Sequence, residues 1–376
     1  MKWNRWIFVL AALSVMASGL WPVQKIATAN AQTPAFLEGK VFDLAKEGLS
    51  LDRRMELARS EAEKAGNRNG FFTAYLFQSR HKVRYGDRAR TDEHYVVSSQ
   101  PSRIKIVEKG REKLNVSQSS DDKEGSWPAV LLALHGAKPG DIAAASVLDP
   151  DRVYEFSNTP VYWLGDGGDD ESLSFVRNAF ASAKDSHLQE TLLFLASCHP
   201  GTAAYDFLKK AAVGAQPKNV RKNAIFWLGN YGDDRSLADL KDIFKSVADR
   251  DLKEQAVFAI QLSKQKEAVL ELIRIAKDDP DREVRSKAVF WLGQKASAES
   301  VKALKDIVGG PDEADSLKDQ AVFAISQLPK DKSVPMLIDI AKNNKSASVR
   351  KKAIFWLGQT GDEAALKFFE EILLKK

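Results

Sequence analysis

A short apolar motif recurs along the second half of the chain and sets its pattern of hydrophobic and polar positions. It reads Ala-Ile-Phe-Trp-Leu-Gly at residues 224–229. Related copies stand at residues 161–165, 288–293 and 353–358. The tryptophans of the four copies are spaced by 64, 64 and 65 residues: Trp163, Trp227, Trp291 and Trp356. We call this the Trp-type motif.

A second motif lies halfway between these copies. It reads Ala-Val-Phe-Ala-Ile at residues 256–260 and 321–325, with a weaker copy at residues 192–196, and we call it the Ala-type motif. Aligned on the aromatic residue, the units advance by 32 residues, once by 33: Tyr162, Phe194, Phe226, Phe258, Phe290, Phe323 and Phe355. A fixed period of this size is typical of stacked supersecondary units. The pattern predicts a mainly α protein with about seven 32-residue helical units in an α-solenoid.

Local signals suggest where these helices begin and end. Thr159 suits an N-cap and Pro160 suits a first helical turn, so the helical domain is assigned to residues 158–376. In the clearest unit, a first helix carrying the motif is expected from Val220, with Gly229 as its left-handed C-cap. A second helix follows after a turn and pairs with it.

A helical wheel at about 100° per residue assigns roles to the motif. Val220, Ala224, Trp227 and Leu228 cluster on the side that faces the partner helix, and the aromatic residue before each Trp lies to one side. The position after the aromatic alternates between Trp and the smaller Leu or Ala, as in layers that interdigitate without voids. We therefore expect the aromatic stripe and the four Trp to be core between repeats. Sugar or peptide binding by these rings is the alternative.

The residue four positions before each aromatic falls at the remaining, wet angle. The charge of this residue depends on the motif: it is acidic in the Ala type and basic or neutral in the Trp type. The six residues are Glu190, Lys222, Glu254, Ser286, Asp319 and Lys351. Two interpretations remain open for this charged stripe. It is a solubilising face with paired neighbours, each pair contributing about 0–1 kcal/mol, or it is the candidate partner-binding stripe of the solenoid.

Residues 32–157 do not repeat and predict a small β-rich module with one helix. Ser50 is a good N-cap for a helix that Gly66 closes. Strand-like runs occupy residues 71–80, 95–97, 104–107, 130–134 and 142–148. The last two flank Pro139-Gly140, which indicates a hairpin.

The first residues have the three-part layout of a secretory signal. Lys2 and Arg5 come first, an apolar run follows at residues 6–16, and a small-x-small site stands at residues 29–31. This predicts cleavage before Gln32. A membrane anchor is the alternative, but the apolar run is short for a membrane span. We expect an exported protein, periplasmic or secreted, with no stable membrane insertion after cleavage.

Removal of residues 1–31 also changes the charge argument. The whole chain has 56 basic and 51 acidic residues, and the leader holds three of the basic ones and no acid, leaving 53 against 51. A nearly neutral mature chain gives no reason to expect a nucleic-acid partner. Cys198 is the one cysteine, so the exported chain has no intrachain disulfide.

No known catalytic or metal-binding pattern is present in the sequence. The five histidines have no metal-ligand spacing, so no metal or cofactor is expected: His81, His94, His135, His187 and His199. There is no Walker loop and no Gly-x-Ser-x-Gly motif. Cys198 beside His199 offers a thiol and an imidazole, but neighbouring side chains on a helix diverge, and a small buried residue is the favoured interpretation.

The repeated motifs resemble HEAT repeats, specifically the short HEAT-like repeats of phycobilisome lyases. The matching residues are Val220-Arg221, Ala224 and Leu228-Gly229; Val284-Arg285, Ala288 and Leu292-Gly293; and Val349-Arg350, Ala353 and Leu357-Gly358. The resemblance covers residues 158–376 and implies that the helix with the Val-Arg pair lines the concave surface. It also implies a structural Arg ladder at positions 221, 285 and 350.

These observations favour a non-enzymatic, exported scaffold that binds a protein or peptide along the concave face. The alternative is an enzyme or accessory subunit with its chemistry in residues 32–157. The resemblance also raises bilin-lyase activity, against which export argues, and di-iron hydroxylase activity, for which the His-Glu pairs are missing.

Overall fold

The computed structural model describes residues 33–67, 70–80, 93–94, 106–109, 126–136, 141–310 and 314–374. The leader and the strand expected at residues 95–97 lie outside these ranges. The described chain consists of a β-rich module followed by a long array of helices, as expected.

Seven strands of the module form one sheet. They are β1 (Leu37–Asp43), β2 (Phe71–Ser79), β3 (Glu93–His94), β4 (Ile106–Lys109), β5 (Trp127–His135), β6 (Ile142–Leu148) and β7 (Val153–Asp166). The strand order is β3-β4-β7-β2-β5-β6, and β1 also pairs with β7. Strands β5 and β6 form the expected antiparallel hairpin. Helix α1 (Leu51–Lys64) connects β1 to β2, and the Ser50 side chain accepts the N–H of Arg53 as the expected cap.

The helix expected after Pro160 does not form. Strand β7 continues through residue 158, where the domain boundary was expected, and carries Trp163 into the sheet. Its second half lies between two parallel neighbours, because Val161 is opposite both Val41 and Phe72. The β1–β7 ladder is irregular just before Val161, and this is where a proline without an N–H is tolerated in a sheet. Helices begin only at Asp169.

The central strand β2 is buried on both faces, and one of these faces belongs to the core of the helices. Phe71, Tyr75 and Phe77 of β2 join the large hydrophobic cluster that runs through the helical array. Phe72 lies on the opposite face, in a second cluster that includes Trp163. A strand with both faces covered is apolar at almost every position, as β2 is. The module therefore closes the N-terminal end of the helical core.

Polar contacts fix α1 against this junction. The guanidinium of Arg54 is buried and donates hydrogen bonds to the main-chain oxygens of Leu164 and Asp166. The Glu171 carboxylate accepts the N–H of Leu51 at 2.7 Å, at the positive end of the α1 dipole. The turn that leaves β7 is thus tied to the N-terminus of α1.

The array consists of α2 and six helix pairs. Its helices are α2 (Asp169–Ser182), α3 (Ser186–Cys198), α4 (Thr202–Val213), α5 (Lys218–Tyr231), α6 (Ser236–Ser246), α7 (Arg250–Leu262), α8 (Glu267–Asp278), α9 (Arg282–Lys295), α10 (Ala298–Gly309), α11 (Asp315–Ser326), α12 (Lys330–Asn343), α13 (Ala347–Thr360) and α14 (Glu363–Leu374). The first helices carry the motifs: α5, α9 and α13 are of the Trp type, and α3, α7 and α11 are of the Ala type. In the unit before α2, strand β7 takes the place of the first helix.

The Trp-type helices do not end at the motif glycine. Helix α5 continues to Tyr231, and Gly232, with φ of 71°, is its left-handed C-cap. Gly229 instead lies where a Cβ would approach the main-chain oxygen of Ala259 in α7 to 2.9 Å. Gly293 meets Ala324 of α11 in the same way, at 2.8 Å. The glycine is therefore a close-packing residue rather than a cap.

Two kinds of contact alternate along the first helices and explain the 64-residue period. A Trp-type helix approaches the next Ala-type helix through its glycine, as Gly229 approaches Ala259. An Ala-type helix contacts the next Trp-type helix through aromatic rings, as Phe258 contacts Trp291 with centroids 4.9 Å apart. Each repeat of 64 residues therefore contains one interface with a close approach at glycine and one interface with a Phe–Trp contact.

The Val-Arg arginines bind the ends of preceding second helices. Arg221 donates to the main-chain oxygen of Ala212 at 3.0 Å, and Arg285 donates to that of Asp279 at 2.9 Å. Arg350 donates to the main-chain oxygen of Asn344 at 2.7 Å. Each guanidinium satisfies carbonyls at the negative end of a helix dipole, which is a structural role.

Candidate functional site: an aromatic ladder and a charged stripe

Nine aromatic rings form a continuous row along the first helices, which we call the aromatic ladder. They are Phe194, Phe226, Trp227, Phe258, Phe290, Trp291, Phe323, Phe355 and Trp356. Successive centroids lie 4.7–6.2 Å apart. Each Trp contacts the Phe before it and the Phe of the preceding Ala-type helix. Phe226 stacks on Phe258 at 5.9 Å with ring planes 4° apart. The contacts are the offset and edge arrangements that aromatic pairs favour.

The ladder is half-buried, which corrects the expectation that the four Trp are core. Trp163 is buried, but in β7, whereas Trp227, Trp291 and Trp356 each keep part of their surface exposed. Phe355, at the end of the ladder, is 55% exposed. The physical reason is that the array has two layers, so a first helix has second helices on one side only. Val220, Ala224 and Leu228 turn to that side and are fully buried.

Two indole N–H groups in the ladder have no acceptor. The Nε1 atoms of Trp227 and Trp356 are out of contact with solvent and form no hydrogen bond. An unsatisfied buried donor costs about 1–3 kcal/mol.

The charged stripe runs beside the ladder, one helical turn before each ladder phenylalanine. Glu190 accepts a hydrogen bond from Asn219 at 2.5 Å, and a Glu254 oxygen lies 3.8 Å from the Lys287 ammonium. The other four stripe side chains form no hydrogen bond or ion pair with any residue that the structure describes: Lys222, Ser286, Asp319 and Lys351. The structure thus places a half-exposed apolar row next to a row of mixed, mostly unpaired charges.

A second polar cluster lies at the junction of the module with the array. The Ser172 hydroxyl is 2.7 Å from His199 Nε2 and 3.2 Å from the Tyr75 hydroxyl. His199 Nδ1 is 2.8 Å from the main-chain oxygen of Leu195. The Ser–His contact has the distance of a nucleophile and its base. Both side chains are buried under Phe77, however, so a substrate cannot reach them, and the cluster holds β2, α2 and α3 together.

The thiol of Cys198 is also inert. It is buried, and burial raises its pKa to about 12, with smaller opposing effects from hydrogen bonding to Ser79 and the charge of Arg80. The thiolate is the reactive form of cysteine, and almost none is present at neutral pH. The sequence-based interpretation of Cys198 as a small buried residue is confirmed.

A shallow cleft of about 360 Å³ lies between α1, the end of β5 and α2. Asp52, Glu56 and Arg59 line one side, and His135 and Asn178 lie at the other. His135 is buried beside Phe71 and accepts or donates a 2.7 Å hydrogen bond with Thr73. Burial, assisted by the charge of Arg59, lowers the pKa of His135 to about 3, so the imidazole is neutral. Sequence reasoning missed this cleft because the strands that form it are far apart in the chain.

Across the described part of the chain, no three or more His, Cys, Asp and Glu side chains are grouped to hold a metal ion. Within the same residues, no helix has both the length and the apolar content needed to cross a membrane.

The fold and the packed motifs define the class of protein as an α-solenoid of stacked helix pairs. A family model of HEAT repeats matches residues 311–376, and a model of the PBS lyase HEAT-like repeat matches residues 220–246. Both matches lie in the helical array, which therefore contains HEAT-like repeats, as the resemblance of the motifs implied.

Several solved structures are similar to part of the chain, and no curated protein sequence matches it. The Escherichia coli protein YibA is 18% identical with a TM-score of 0.34, and the match covers 55% of this chain and 77% of that one. Human deoxyhypusine hydroxylase is 19% identical with a TM-score of 0.25, covering 54% and 78%. The CpcE–CpcF complex of phycocyanin lyase from Nostoc sp. PCC7120 is 18% identical with a TM-score of 0.31, covering 52% and 79%.

Proposed function

We propose that this protein is a non-enzymatic scaffold that binds an extended segment of a partner protein along its first helices. The bound segment lies over the aromatic ladder and beside the charged stripe. The observation that carries the proposal is the ladder itself, because nine rings on six successive helices stay half-exposed in one continuous row. Solenoids use such extended, repeated surfaces to bind polypeptides.

Helix spacing supports the assignment of this surface to the concave side. In a curved stack, helices on the inner side lie closer together than helices on the outer side. Successive first helices approach to main-chain contact at Gly229 and Gly293, whereas successive second helices touch each other little. The first helices therefore line the inner surface, where several weak contacts can act on one ligand.

The chemistry of the surface favours a polypeptide of mixed charge. The ladder supplies a row of apolar contact area for the side chains of a bound segment. The stripe alternates in sign, so it attracts a polyanion such as nucleic acid poorly. Stripe charges would set specificity and association rate more than affinity, and their effect would decrease with salt.

The proposal extends to location. The leader suggests that the mature protein begins at Gln32 and meets its partner outside the cytoplasm, in the periplasm or beyond. Mass spectrometry of the N-terminal peptide from the native envelope fraction tests this. A peptide that begins at Met1 in the soluble envelope fraction would contradict cleavage.

Site-specific photo-crosslinking tests the binding surface. A benzophenone amino acid is placed at Lys222 in the stripe or, as the matched control, at exposed Lys245 on second helix α6. Crosslinking in the native cell envelope should give a discrete protein adduct from position 222 and none from position 245. Adducts from both positions, or from position 245 alone, would show that the first helices are not the binding surface.

The second candidate function is an enzyme or accessory subunit that uses the module. The cleft beside Arg59 and His135 favours it, since a neutral imidazole and a guanidinium lie near one opening. A cofactor that copurifies with the protein and is lost in an Arg59→Ala variant would support this function. A crosslinked partner at Lys222, with no such cofactor, supports the scaffold.

A further inference from the structure

The outer face of the last helix pair is the third copy of a surface that is covered in the first two copies. On α5 this face is covered by Ala-type helix α7, and on α9 it is covered by Ala-type helix α11. Ile225 and Val289, at the centre of the covered faces, are 0% exposed. Their counterpart on α13, Ile354, is 38% exposed, because no described residue packs over it.

The glycine and the phenylalanine of this face show the same contrast. A Cβ at Gly229 or Gly293 would meet main chain within 3 Å, whereas nothing lies within 4 Å of the Cβ position of Gly358. Phe226 stacks on Phe258, and Phe290 stacks on Phe323, but Phe355 has no ring on its outer side. All three elements of a tight helix–helix interface are therefore present and open on α13.

Leu366 and Ile372 of α14 are exposed as well. Exposed large apolar side chains on both helices of the last pair are typical of an interaction surface.

We propose that this face of α13 and α14 docks a helix pair of the Ala-type pattern that belongs to a partner protein. The docked helix runs parallel to α13, with a phenylalanine on the ring of Phe355 and an alanine against Gly358. This is the occupant that covers both internal copies of the face, and the inference does not depend on the function proposed for the ladder.

The charges at the edge of the face are only partly repeated on α13. On the internal copy, Lys218 bonds to Asp251 at the start of α7 at 2.6 Å, and Lys222 lies close enough to contribute to the lowered pKa of that carboxyl. Lys351 is the counterpart of Lys222 and is exposed without an ion pair. Ala347 stands where Lys218 stands on α5, so the Lys218–Asp251 ion pair has no equivalent on α13, and the docked helix is defined by its apolar contacts.

A second copy of this chain cannot supply such a helix from its described residues. The Ala-type helices α7 and α11 are each covered on both sides by Trp-type helices, and α3 packs between α5 and the module. A partner with an open Ala-type face is required.

The test supplies the docked pair on a tether. Residues 249–281, which contain α7 and α8, are appended to the full chain through a flexible linker of about 10 residues, which gives an effective concentration in the millimolar range. Amide hydrogen exchange at residues 351–358 should slow by about tenfold or more, because the open face becomes covered. The melting temperature should rise by about 3 °C or more.

Two variants of the extended chain are the controls. Gly358→Leu should abolish the protection in the extended chain, yet leave the melting temperature of the parent chain unchanged or higher, since the site is open. Replacing the appended copies of Phe258 and Ala259 by Asp should also abolish protection. Unchanged exchange at residues 351–358 in the extended chain, or equal protection by the Asp-containing pair, would overturn the proposal. A parent chain that is dimeric by light scattering and becomes monomeric on Gly358→Leu would show that a second copy occupies the face, which contradicts a repeat-unit partner.

Discussion

At the residue scale, the motif glycine decides how closely two first helices pack. Gly229 lies inside α5, where glycine costs about 1 kcal/mol relative to alanine. This loss of helix propensity is offset because glycine, which has no Cβ, lets α5 pack directly against the main chain of Ala259. The same residue type at position 358 has no such neighbour, so identical motifs have different energetic consequences at the two positions.

Replacing these glycines by alanine should therefore change stability in opposite directions. Gly229→Ala should lower the free energy of unfolding by about 1–3 kcal/mol, because the new methyl forces the helices apart. Gly358→Ala should raise it by about 0.5–1 kcal/mol through better helix propensity. Urea unfolding of both variants measures the difference, and equal effects at the two positions would contradict the close-approach role.

The sequence predicted which residues line the interfaces but not how exposed each would be. A helical wheel correctly placed Val220, Ala224 and Leu228 toward the partner helix. It could not reveal that Trp227 has no layer beyond it, since exposure depends on the number of layers and not on helical phase. The same limit applies to Gly229, because a glycine at a cap and a glycine at a close approach look alike in sequence.

At the element scale, the arginine of each Trp-type helix links successive repeats. Arg285→Ala should lower the free energy of unfolding by about 1–2 kcal/mol, because it leaves the carbonyl of Asp279 at the end of α8 without its donor. Arg282→Ala is the matched control, as Arg282 begins the same helix but is exposed and unbonded. If Arg282→Ala lowers the free energy of unfolding as much as Arg285→Ala does, the capping role of Arg285 is refuted.

A half-buried carboxylate joins the second helices α4 and α6. Asp239 accepts hydrogen bonds from the Tyr205 hydroxyl at 2.5 Å and the Lys209 ammonium at 2.7 Å. Burial alone would raise the pKa of Asp239, but these two bonds outweigh it and hold the pKa below its usual value. A carboxylate with a lowered folded pKa stabilises the fold above its unfolded pKa, about 3.9, and loses this contribution as pH falls through the folded pKa.

The expected result is a pH-dependent difference between the wild type and Asp239→Asn. At pH 5–7 the variant should be less stable by about 1–3 kcal/mol, since Lys209 and Tyr205 lose a charged acceptor. The difference should shrink as the pH falls below about 4. Asp242→Asn on the exposed side of α6 is the control. Urea unfolding from pH 7 to pH 3 measures this difference in the free energy of unfolding. A difference that grows toward low pH would show that folding does not lower the pKa of Asp239.

Pro160 shows that a local helix signal can be overridden by strand pairing. Thr159-Pro160 is a good local helix start, yet residues 153–166 form a strand. Pairing of Val161 with both β1 and β2 outweighs the local preference, and these partners lie more than eighty residues away in the chain. Repeats of the helices were predictable because each unit packs on its neighbours in sequence, whereas the sheet depends on distant strands.

At the scale of the whole molecule, the module and the array share one hydrophobic cluster. The polar contacts of Arg54, Ser172 and His199 strengthen that junction from within. The N-terminal end of the solenoid is thus closed by the sheet, while the C-terminal face remains open. The surface available for an extended ligand is therefore the line of first helices between these ends.

The charged stripe could be identified from the sequence, because its residues occupy the one angle of the wheel without a packing role. The ladder beside it could not be identified as a surface, since its rings resemble core residues. Stripe and ladder together extend over six first helices, about 50 Å at a helix spacing of about 10 Å. An extended segment of a partner can contact all of them at once.

Charge reversal along the stripe tests this interpretation at the scale of the complex. One variant combines Lys222→Glu with Lys351→Glu, and a second combines Glu254→Lys with Asp319→Lys. These are exposed or half-exposed positions, so both variants should fold with melting temperatures close to that of the wild type. Capture of the protein crosslinked at position 222 should fall by about tenfold at low salt. The reversed side chains would repel the partner charges that the wild-type stripe attracts.

The salt dependence separates a binding surface from a solvated one. Raising the ionic strength from 0.01 M to 0.15 M shortens the screening length from about 30 Å to about 8 Å. The variants and the wild type should then converge, because the stripe acts through charge while the ladder still supplies apolar contact. As a control, Lys245→Glu on α6 should bind like the wild type at both salt concentrations. If both stripe variants fold and capture the partner as the wild type does at low salt, the stripe only solvates the helices, and recognition lies elsewhere on the protein.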